Sequence, residues 1–97
     1  MNIQIQSVHF DADKKLLSFI EEKVGKLNVM HDKIVKSEVT LKLDKSESNE
    51  NKVAEIRLHV PGNDLFAKKQ CATFEEATDL AVDALKTQIK RYKERAQ

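Results

Sequence analysis

The 97-residue sequence has few of the residues that build disulfides, tight turns and phosphate-binding loops. It contains two glycines, one proline and one cysteine, and no tryptophan. Cys71 cannot form an intrachain disulfide, and the isolated Gly25 and Gly62 cannot form a glycine-rich phosphate loop. No stretch approaches the roughly 18 consecutive apolar residues that span a membrane, and the N-terminus lacks the pattern of a secretory signal. The sequence therefore predicts a cytoplasmic protein with no membrane partner.

Catalytic constellations are also missing from the sequence. His9, His31 and His59 are isolated and show no metal-ligand spacing, and no serine lies in a nucleophile elbow. Cys71 has no recognisable base partner, so we expect it to pack in the interior. We therefore expect no catalytic residue, no cofactor, no metal and no small-molecule substrate, and a small enzyme is the disfavoured interpretation.

Hydrophobic periodicity predicts a strand, a helix and a second strand in the first half of the chain. Ile3 and Ile5 alternate with polar residues, as in a half-buried strand. Asp11 or Asp13 can cap a helix, and Asn28 can end it. The apolar residues of this helix are Leu16, Phe19, Ile20, Val24 and Leu27. The next strand should bury Val35, Ser37, Val39, Leu41 and Leu43 and expose the residues between them.

The second half of the chain predicts two more strands and a long helix. A polar segment, 45–51, reads as a hairpin loop, and residues 61–64 are a strong turn signal. The strand between them buries Ala54, Ile56, Leu58 and Val60, and a weaker strand covers 65–72. Thr73 and Glu76 fit a capping box. The helix that follows carries an apolar stripe of Phe74, Ala77, Leu80, Ala81, Ala84, Leu85, Ile89 and Tyr92.

The element order βαβββα predicts an α+β fold. Both helices must cover the one apolar face of a four-stranded mixed sheet, giving a two-layer sandwich similar to a double-stranded RNA-binding domain. The first two strands should be parallel and the later strands antiparallel, because short turns connect the later ones. We expect residues 1–97 to form a single domain.

The charge of the last helix is divided between its two halves, although the net charge of the chain is only +1. Residues 74–85 contain four acidic residues and no basic one, and residues 86–97 contain five basic residues and one acidic one. Complementarity to the helix dipole explains the charges in the terminal turns. It explains Asp83 and Lys86 poorly, because both lie in the middle of the helix.

The alternative interpretation is a surface that binds phosphates. Lys86, Lys90 and Lys93 fall on one helical face, and Arg91 and Arg95 form an adjacent row. The first helix adds the neighbouring Lys23 and Lys26, which can converge with the first group because both helices lie on the same side of the sheet. Few aromatic residues are left over to stack on unpaired bases, which favours recognition of RNA shape and backbone.

Two segments resemble a known family. Residues 16–27, LLSFIEEKVGKL, are similar to the first helix of the short ribosome hibernation-promoting factor and ribosome-associated inhibitor A family, also called sigma-54 modulation protein or S30EA. Residues 73–93, TFEEATDLAVDALKTQIKRYK, are similar to the signature of its second helix. The resemblance extends over nearly the whole chain and agrees with the βαβββα order.

The resemblance implies a non-enzymatic factor that binds the small ribosomal subunit and its rRNA. Such factors occupy the decoding region and inhibit translation by blocking access of mRNA and tRNA. The residues implied to contact rRNA are Lys23, Lys26, Lys86, Lys90, Arg91, Lys93 and Arg95. Thr87 stands where relatives often have Arg, and Lys86 or Lys90 can replace that contact. The chain lacks the extra C-terminal domain of long relatives, so we expect that it does not dimerise ribosomes unaided. Inactivation of single ribosomes and assistance to a separate dimerising factor are both compatible with the sequence. We also expect a monomer off the ribosome.

Two other functions are compatible with the residues. One is a protein-binding regulator related to sigma-54 modulation, which would use the acidic half of the last helix or the exposed sheet face. The other is a general binder of double-stranded RNA, which would bind arbitrary duplexes as well as ribosomes.

Overall fold

The computed structural model describes residues 2–45 and 47–95 and contains four strands and two helices in the described residues. The order is β1 (Asn2–Ser7), α1 (Lys14–Met30), β2 (Lys36–Leu43), β3 (Lys52–Val60), β4 (Asn63–Cys71) and α2 (Phe74–Arg95). The strands form one sheet in the order β1-β2-β3-β4. β1 is parallel to β2, and the other neighbours are antiparallel. The predicted α+β architecture is confirmed.

Both helices begin where the sequence predicts a cap. The Asp13 carboxylate accepts a hydrogen bond from the Leu16 backbone N–H at 2.8 Å, which makes Asp13 the cap of α1. The Thr73 hydroxyl accepts from the Glu76 backbone N–H at 3.1 Å at the start of α2. α1 continues past Asn28 to Met30, and the backbone N–H of His31 still donates to the Leu27 carbonyl. Asn28 is therefore not the helix end, because the hydrogen-bonded turn continues through it.

The turn between β3 and β4 is tighter than the sequence indicates. Val60 faces Asn63 across the hairpin, so Pro61 and Gly62 alone form the loop. Gly62 has a φ of 79°, a conformation that favours glycine. β4 consequently begins at Asn63 and not at Leu65. Ser46, within the predicted loop between β2 and β3, lies outside the described residues.

The core lies between the helices and one face of the sheet. Its fully buried side chains include Ile20, Val24, Leu27, Leu41, Ile56, Leu58, Leu85 and Ile89. Both ends of the predicted β2 stripe are exposed, because Val35 is 68% and Leu43 is 47% exposed. The buried side chains of β2 therefore lie within Ser37–Leu41. In α2 the structure buries Thr78 and Val82 and leaves Leu80 44% exposed. The prediction that Leu80 belongs to the buried stripe was therefore wrong. α1 packs against the opposite flank of α2, so the residues on that flank are buried instead.

Candidate RNA-binding surface

The two helices lie side by side and run in the same direction. Near their N-terminal ends, the rings of Phe10 and Phe74 stack with centroids 5.0 Å apart. At their C-terminal ends, the rings of His31 and Tyr92 meet at 5.2 Å. The acidic half of α2 therefore lies beside the first part of α1, and the basic half lies beside the last turn of α1.

Three lysines line a shallow depression on the α1 side of α2. We call this set, Lys86, Lys90 and Lys93, the lysine flank. The depression has a volume of about 600 Å³ and is completed by Met30, Thr87 and Glu94. Lys93 Nζ donates to the Met30 carbonyl at 3.0 Å, so one cation is held at the C-terminal end of α1. Lys26 lies four residues before Met30 and therefore projects from the same face of α1.

Lys23 does not join the lysine flank. Its Nζ forms an ion pair with Asp79 at 3.1 Å and lies 5.5 Å from the centroid of the Phe19 ring. Because Asp79 belongs to the acidic half of α2, its carboxylate offsets the charge of Lys23. Helical spacing thus places Lys26 on the Met30 side of α1, whereas Lys23 forms a local pair with an acid.

The two arginines lie on the other side of α2. Arg91 and Arg95, the arginine flank, line a cavity of about 500 Å³ between α2 and the β3–β4 turn, together with Gly62, Asn63, Asp64, Leu65, Gln88 and Tyr92. Tyr92 has a structural position, because its hydroxyl donates to the Pro61 carbonyl at 2.8 Å. The predicted site is therefore divided into two flanks that face different neighbours.

Thr87 and Asp83 show how the middle of α2 is arranged. The Thr87 hydroxyl donates to the Asp83 carbonyl at 3.5 Å, one turn earlier. Lys86 Nζ lies 4.0 Å from an Asp83 carboxylate oxygen, and both side chains are largely exposed. A contact this long and this exposed contributes little, so it does not prevent Lys86 from binding an anion.

The open face of the sheet carries an ion-pair network that the sequence analysis did not identify. His59 lies between Glu38, at 2.9 Å from Nε2, and Asp64, at 3.3 Å from Nδ1. The hydrogen bond from Lys36, followed by that from His59, lowers the pKa of the Glu38 carboxyl. Arg57 pairs with Asp64 at 3.4 Å and lies 4.8 Å from the centroid of the Phe66 ring. Lys36 and Arg57 already have acidic partners, which makes this face a poorer phosphate-binding surface than α2.

The register of the sheet explains why this network was missed. Lys36 faces His59, His59 faces Asp64, and Arg57 faces Phe66 across neighbouring strands. The sequence signal was the alternation of charged residues along β2 and β3. Only the pairing of the strands shows which opposite charges meet.

Cys71 is buried at the end of β4. Burial, followed by the nearby Glu76 and Glu50 carboxylates, raises the pKa of its thiol. A raised pKa keeps the thiol protonated at neutral pH, which makes it a poor nucleophile. Among residues 2–45 and 47–95, no group of three metal-ligating side chains is found, and no described helix is long and apolar enough to cross a bilayer.

Comparison with known proteins decides the family. The sequence model of the family "Sigma 54 modulation protein / S30EA ribosomal protein" matches residues 3–97. The chain belongs to this family. The sigma-54 modulation/S30EA assignment confirms the resemblance of the two helical segments, and members of this family are ribosome-associated hibernation factors.

Three relatives and structures show how far the similarity extends. A ribosome hibernation promoting factor from Pseudomonas putida is 27% identical over 97 residues, covering all of this chain and 91% of that protein. A ribosome hibernation promotion factor from Deinococcus radiodurans is 31% identical over 94 residues, but the match covers only 49% of its length. The N-terminal domain of Protein Y from Thermus thermophilus superposes with a TM-score of 0.81 at 28% identity, covering 95% of this chain and 99% of that one.

A second solved structure supports the fold alone. A ribosomal subunit interface protein from Coxiella burnetii superposes with a TM-score of 0.86 at 22% identity, covering 97% of this chain and 99% of that one. Its agreement with the four-stranded sheet and two helices shows that this fold is preserved at low sequence identity.

Proposed function

We propose that this protein binds the decoding region of the small ribosomal subunit through rRNA phosphates and inhibits translation by blocking mRNA and tRNA. The observation that carries the proposal is the division of charge along α2, which places Lys86, Lys90, Arg91, Lys93 and Arg95 in its last three turns. Family membership supports a ribosomal partner. The protein would act in the cytoplasm as a monomer off the ribosome, and by steric occlusion, not by catalysis.

The geometry of α2 suits a folded RNA backbone. The lysine flank and the arginine flank present cations on two sides of one rigid helix. Lys26, which lies four residues before Met30, extends the first group onto α1. Several phosphates on different strands can therefore be contacted at once. Arginine can grip a phosphate through two parallel hydrogen bonds, while lysine acts as a point charge. This division favours electrostatic recognition of backbone shape.

Recognition of unpaired bases is less well supported. Phe66 is the only phenylalanine, tyrosine or tryptophan among the described residues of the open sheet face, and it lies beneath the Arg57 guanidinium. The imidazole of His59 on the same face contacts Glu38 and Asp64. Domains that read single-stranded RNA on a sheet normally stack two or three bases on exposed aromatic residues. The contacts proposed here are therefore with phosphate and ribose, and Lys23 contributes less than Lys26 because Asp79 offsets its charge.

Co-sedimentation with purified small ribosomal subunits across a salt series tests the proposal. The wild type should bind at low salt and dissociate steeply as salt rises. Lys86→Glu/Arg91→Glu/Lys93→Glu should lose binding. Competition by initiator tRNA would then support the decoding region as the site.

A matched control separates a specific surface from net charge. Lys14→Glu/Lys15→Glu/Lys33→Glu changes the net charge by the same amount at exposed positions outside α2. Binding by this control and loss by the α2 variant would support the proposal. Equal losses would indicate nonspecific attraction, and absence of wild-type binding even at low salt would leave a protein partner as the better interpretation.

A further inference from the structure

The outer edge of β4 carries backbone groups that no neighbouring strand satisfies. β4 is the last strand of the sheet, and the two-residue turn makes Val60 and Asn63 a hydrogen-bonded pair. Hydrogen-bonded pairs alternate along an antiparallel ladder. The N–H and C=O groups of Asp64, Phe66, Lys68 and Gln70 therefore point away from β3, and all four residues are exposed.

One helix side chain occupies the middle of this edge. The Phe66 N–H donates to Gln88 Oε1 at 3.2 Å, and Gln88 Nε2 donates to the Phe66 carbonyl at 2.7 Å. The side-chain amide thus presents the same donor and acceptor as the peptide group of an adjacent strand. The flanking edge groups of Asp64 and Lys68 have no such substitute among the hydrogen bonds of the described residues.

Apolar and charged side chains border the same edge. Leu80 is exposed on the α2 flank that carries Arg91, eleven residues further along the helix, and Phe66 is partly exposed on the open sheet face. Alternate side chains of an added strand would contact these two residues from opposite faces. The arginine flank makes the Asn63 end of the edge basic, since Asp64 is already paired with Arg57 and His59. At the Cys71 end of the edge, the Glu76 and Glu50 carboxylates and the Lys69 ammonium group lie near the buried thiol, so charges of both signs share that end.

We propose that the outer edge of β4 accepts an extended segment of a partner protein, which displaces Gln88, pairs antiparallel with β4 and places an acidic C-terminal end at Arg91 and Arg95. Antiparallel pairing brings the C-terminus of the segment to the Asn63 end of β4. There, carboxylates meet two guanidinium groups in the 500 Å³ cavity. Main-chain hydrogen bonds supply affinity, and the charge at the end supplies specificity.

An NMR titration tests the proposal with a defined probe. The probe is a peptide of about eight residues, a typical strand length, alternating valine and threonine and ending in two glutamates. It should shift the amides of Asp64, Phe66, Lys68 and Gln70 in the ¹⁵N-labelled protein. Gln88→Ala should bind the probe about tenfold more tightly, because no side-chain hydrogen bonds must be displaced.

Three controls keep the test decisive. Gln6→Ala removes a glutamine at the opposite edge of the sheet and should leave the affinity unchanged. Lys68→Pro removes one outward N–H, which edge strands tolerate, and should abolish binding while the circular dichroism spectrum remains that of a folded protein. Arg91→Glu/Arg95→Glu should abolish the preference for the acidic probe over a probe that ends in two lysines. This double variant tests the proposal even if Lys68→Pro unfolds the protein.

Several results would overturn the proposal. The proposal is wrong if millimolar peptide shifts no edge amide in either wild type or Gln88→Ala, or if the acidic and basic probes bind equally well. It is also wrong if the peptide shifts only amides near the lysine flank. If an RNA duplex shifts the edge amides and the peptide does not, the edge of β4 binds RNA instead. Because the titration contains no ribosome, its outcome is independent of the proposed function.

Discussion

At the scale of single residues, the side chains of α2 divide into those that hold the fold and those left for binding. Tyr92 is hydrogen-bonded to the Pro61 carbonyl in the β3–β4 turn, whereas Gln88 covers the free backbone groups of Phe66 at the edge of β4. Lys93 is hydrogen-bonded to the end of α1 but remains exposed. Lys90 and Arg91 are exposed on opposite flanks. The residues between the cations therefore fix the position of the helix, and the cations themselves remain accessible.

Glu38 should make folding stability depend on pH in the acidic range. Its pKa in the folded protein lies below the ordinary value of 4.5, because Lys36 and then His59 donate hydrogen bonds to its carboxylate. A lowered folded pKa contributes stability that is fully present above the unfolded pKa and lost as pH falls through the folded pKa. We therefore expect urea midpoints to decrease below about pH 4.5 less steeply in Glu38→Gln than in wild type.

The partner of Glu38 provides the control for this expectation. In Lys36→Gln the main hydrogen bond to the carboxylate is lost, so the pKa of Glu38, followed by NMR, should rise towards 4.5. A Glu38 pKa that does not move in Lys36→Gln would show that Lys36 is not its principal partner.

At the scale of elements, α2 combines three different surfaces on one 22-residue helix. One face packs on the sheet and α1, one flank carries lysines, and the other follows the edge of β4. The apolar stripe predicted from the sequence was nearly correct. Periodicity predicts which face of the helix is buried, but it does not determine which residues at the margins of that face are covered. Leu80 lies at the margin of the stripe on the side away from α1 and is 44% exposed. Val82 lies on the opposite margin, where α1 packs against α2, and is therefore buried.

The two leucines of α2 should respond very differently to truncation. Leu85 is completely buried, so Leu85→Ala should lower the free energy of unfolding by about 2–5 kcal/mol. Leu80→Ala removes the same atoms from a side chain that is 44% exposed, and should cost no more than about 1 kcal/mol. Urea denaturation of both variants measures the difference, and similar losses would contradict the burial described for α2.

At the scale of the whole molecule, the long helix separates charge over a large distance. The molecule measures 45 × 24 × 18 Å, and a 22-residue helix is about 33 Å long. The net charge of +1 therefore describes α2 poorly, because its acids and bases occupy opposite halves of the helix. A polyanion is attracted most strongly to the basic half of this helix.

Individual cations should be visible in the salt dependence of ribosome binding. If Lys90 contacts one phosphate, Lys90→Ala should reduce the slope of log affinity against log salt by about 0.7–0.9. Lys15→Ala, at the far end of α1, should leave the slope unchanged. Filter binding or co-sedimentation at several salt concentrations measures both, and an unchanged slope for Lys90→Ala would place this residue outside the RNA contact.

The sequence alone was sufficient for the element order, the cap of α2, most of the core and the divided charge of α2, and it narrowed the cap of α1 to Asp11 or Asp13. These features depend on periodicity and on residues a few positions apart, which are local properties of the chain. It also allowed the family to be identified from two helical segments.

Tertiary structure decided which distant residues meet. The pairing of Lys23 with Asp79, the separation of the lysine and arginine flanks, the network around His59 and the Gln88 contact with the β4 edge all join different elements. Such contacts depend on the packing of helices and the register of strands. A difference of one residue in register moves a side chain to the opposite face of a sheet, so these contacts follow from the folded arrangement and not from local sequence.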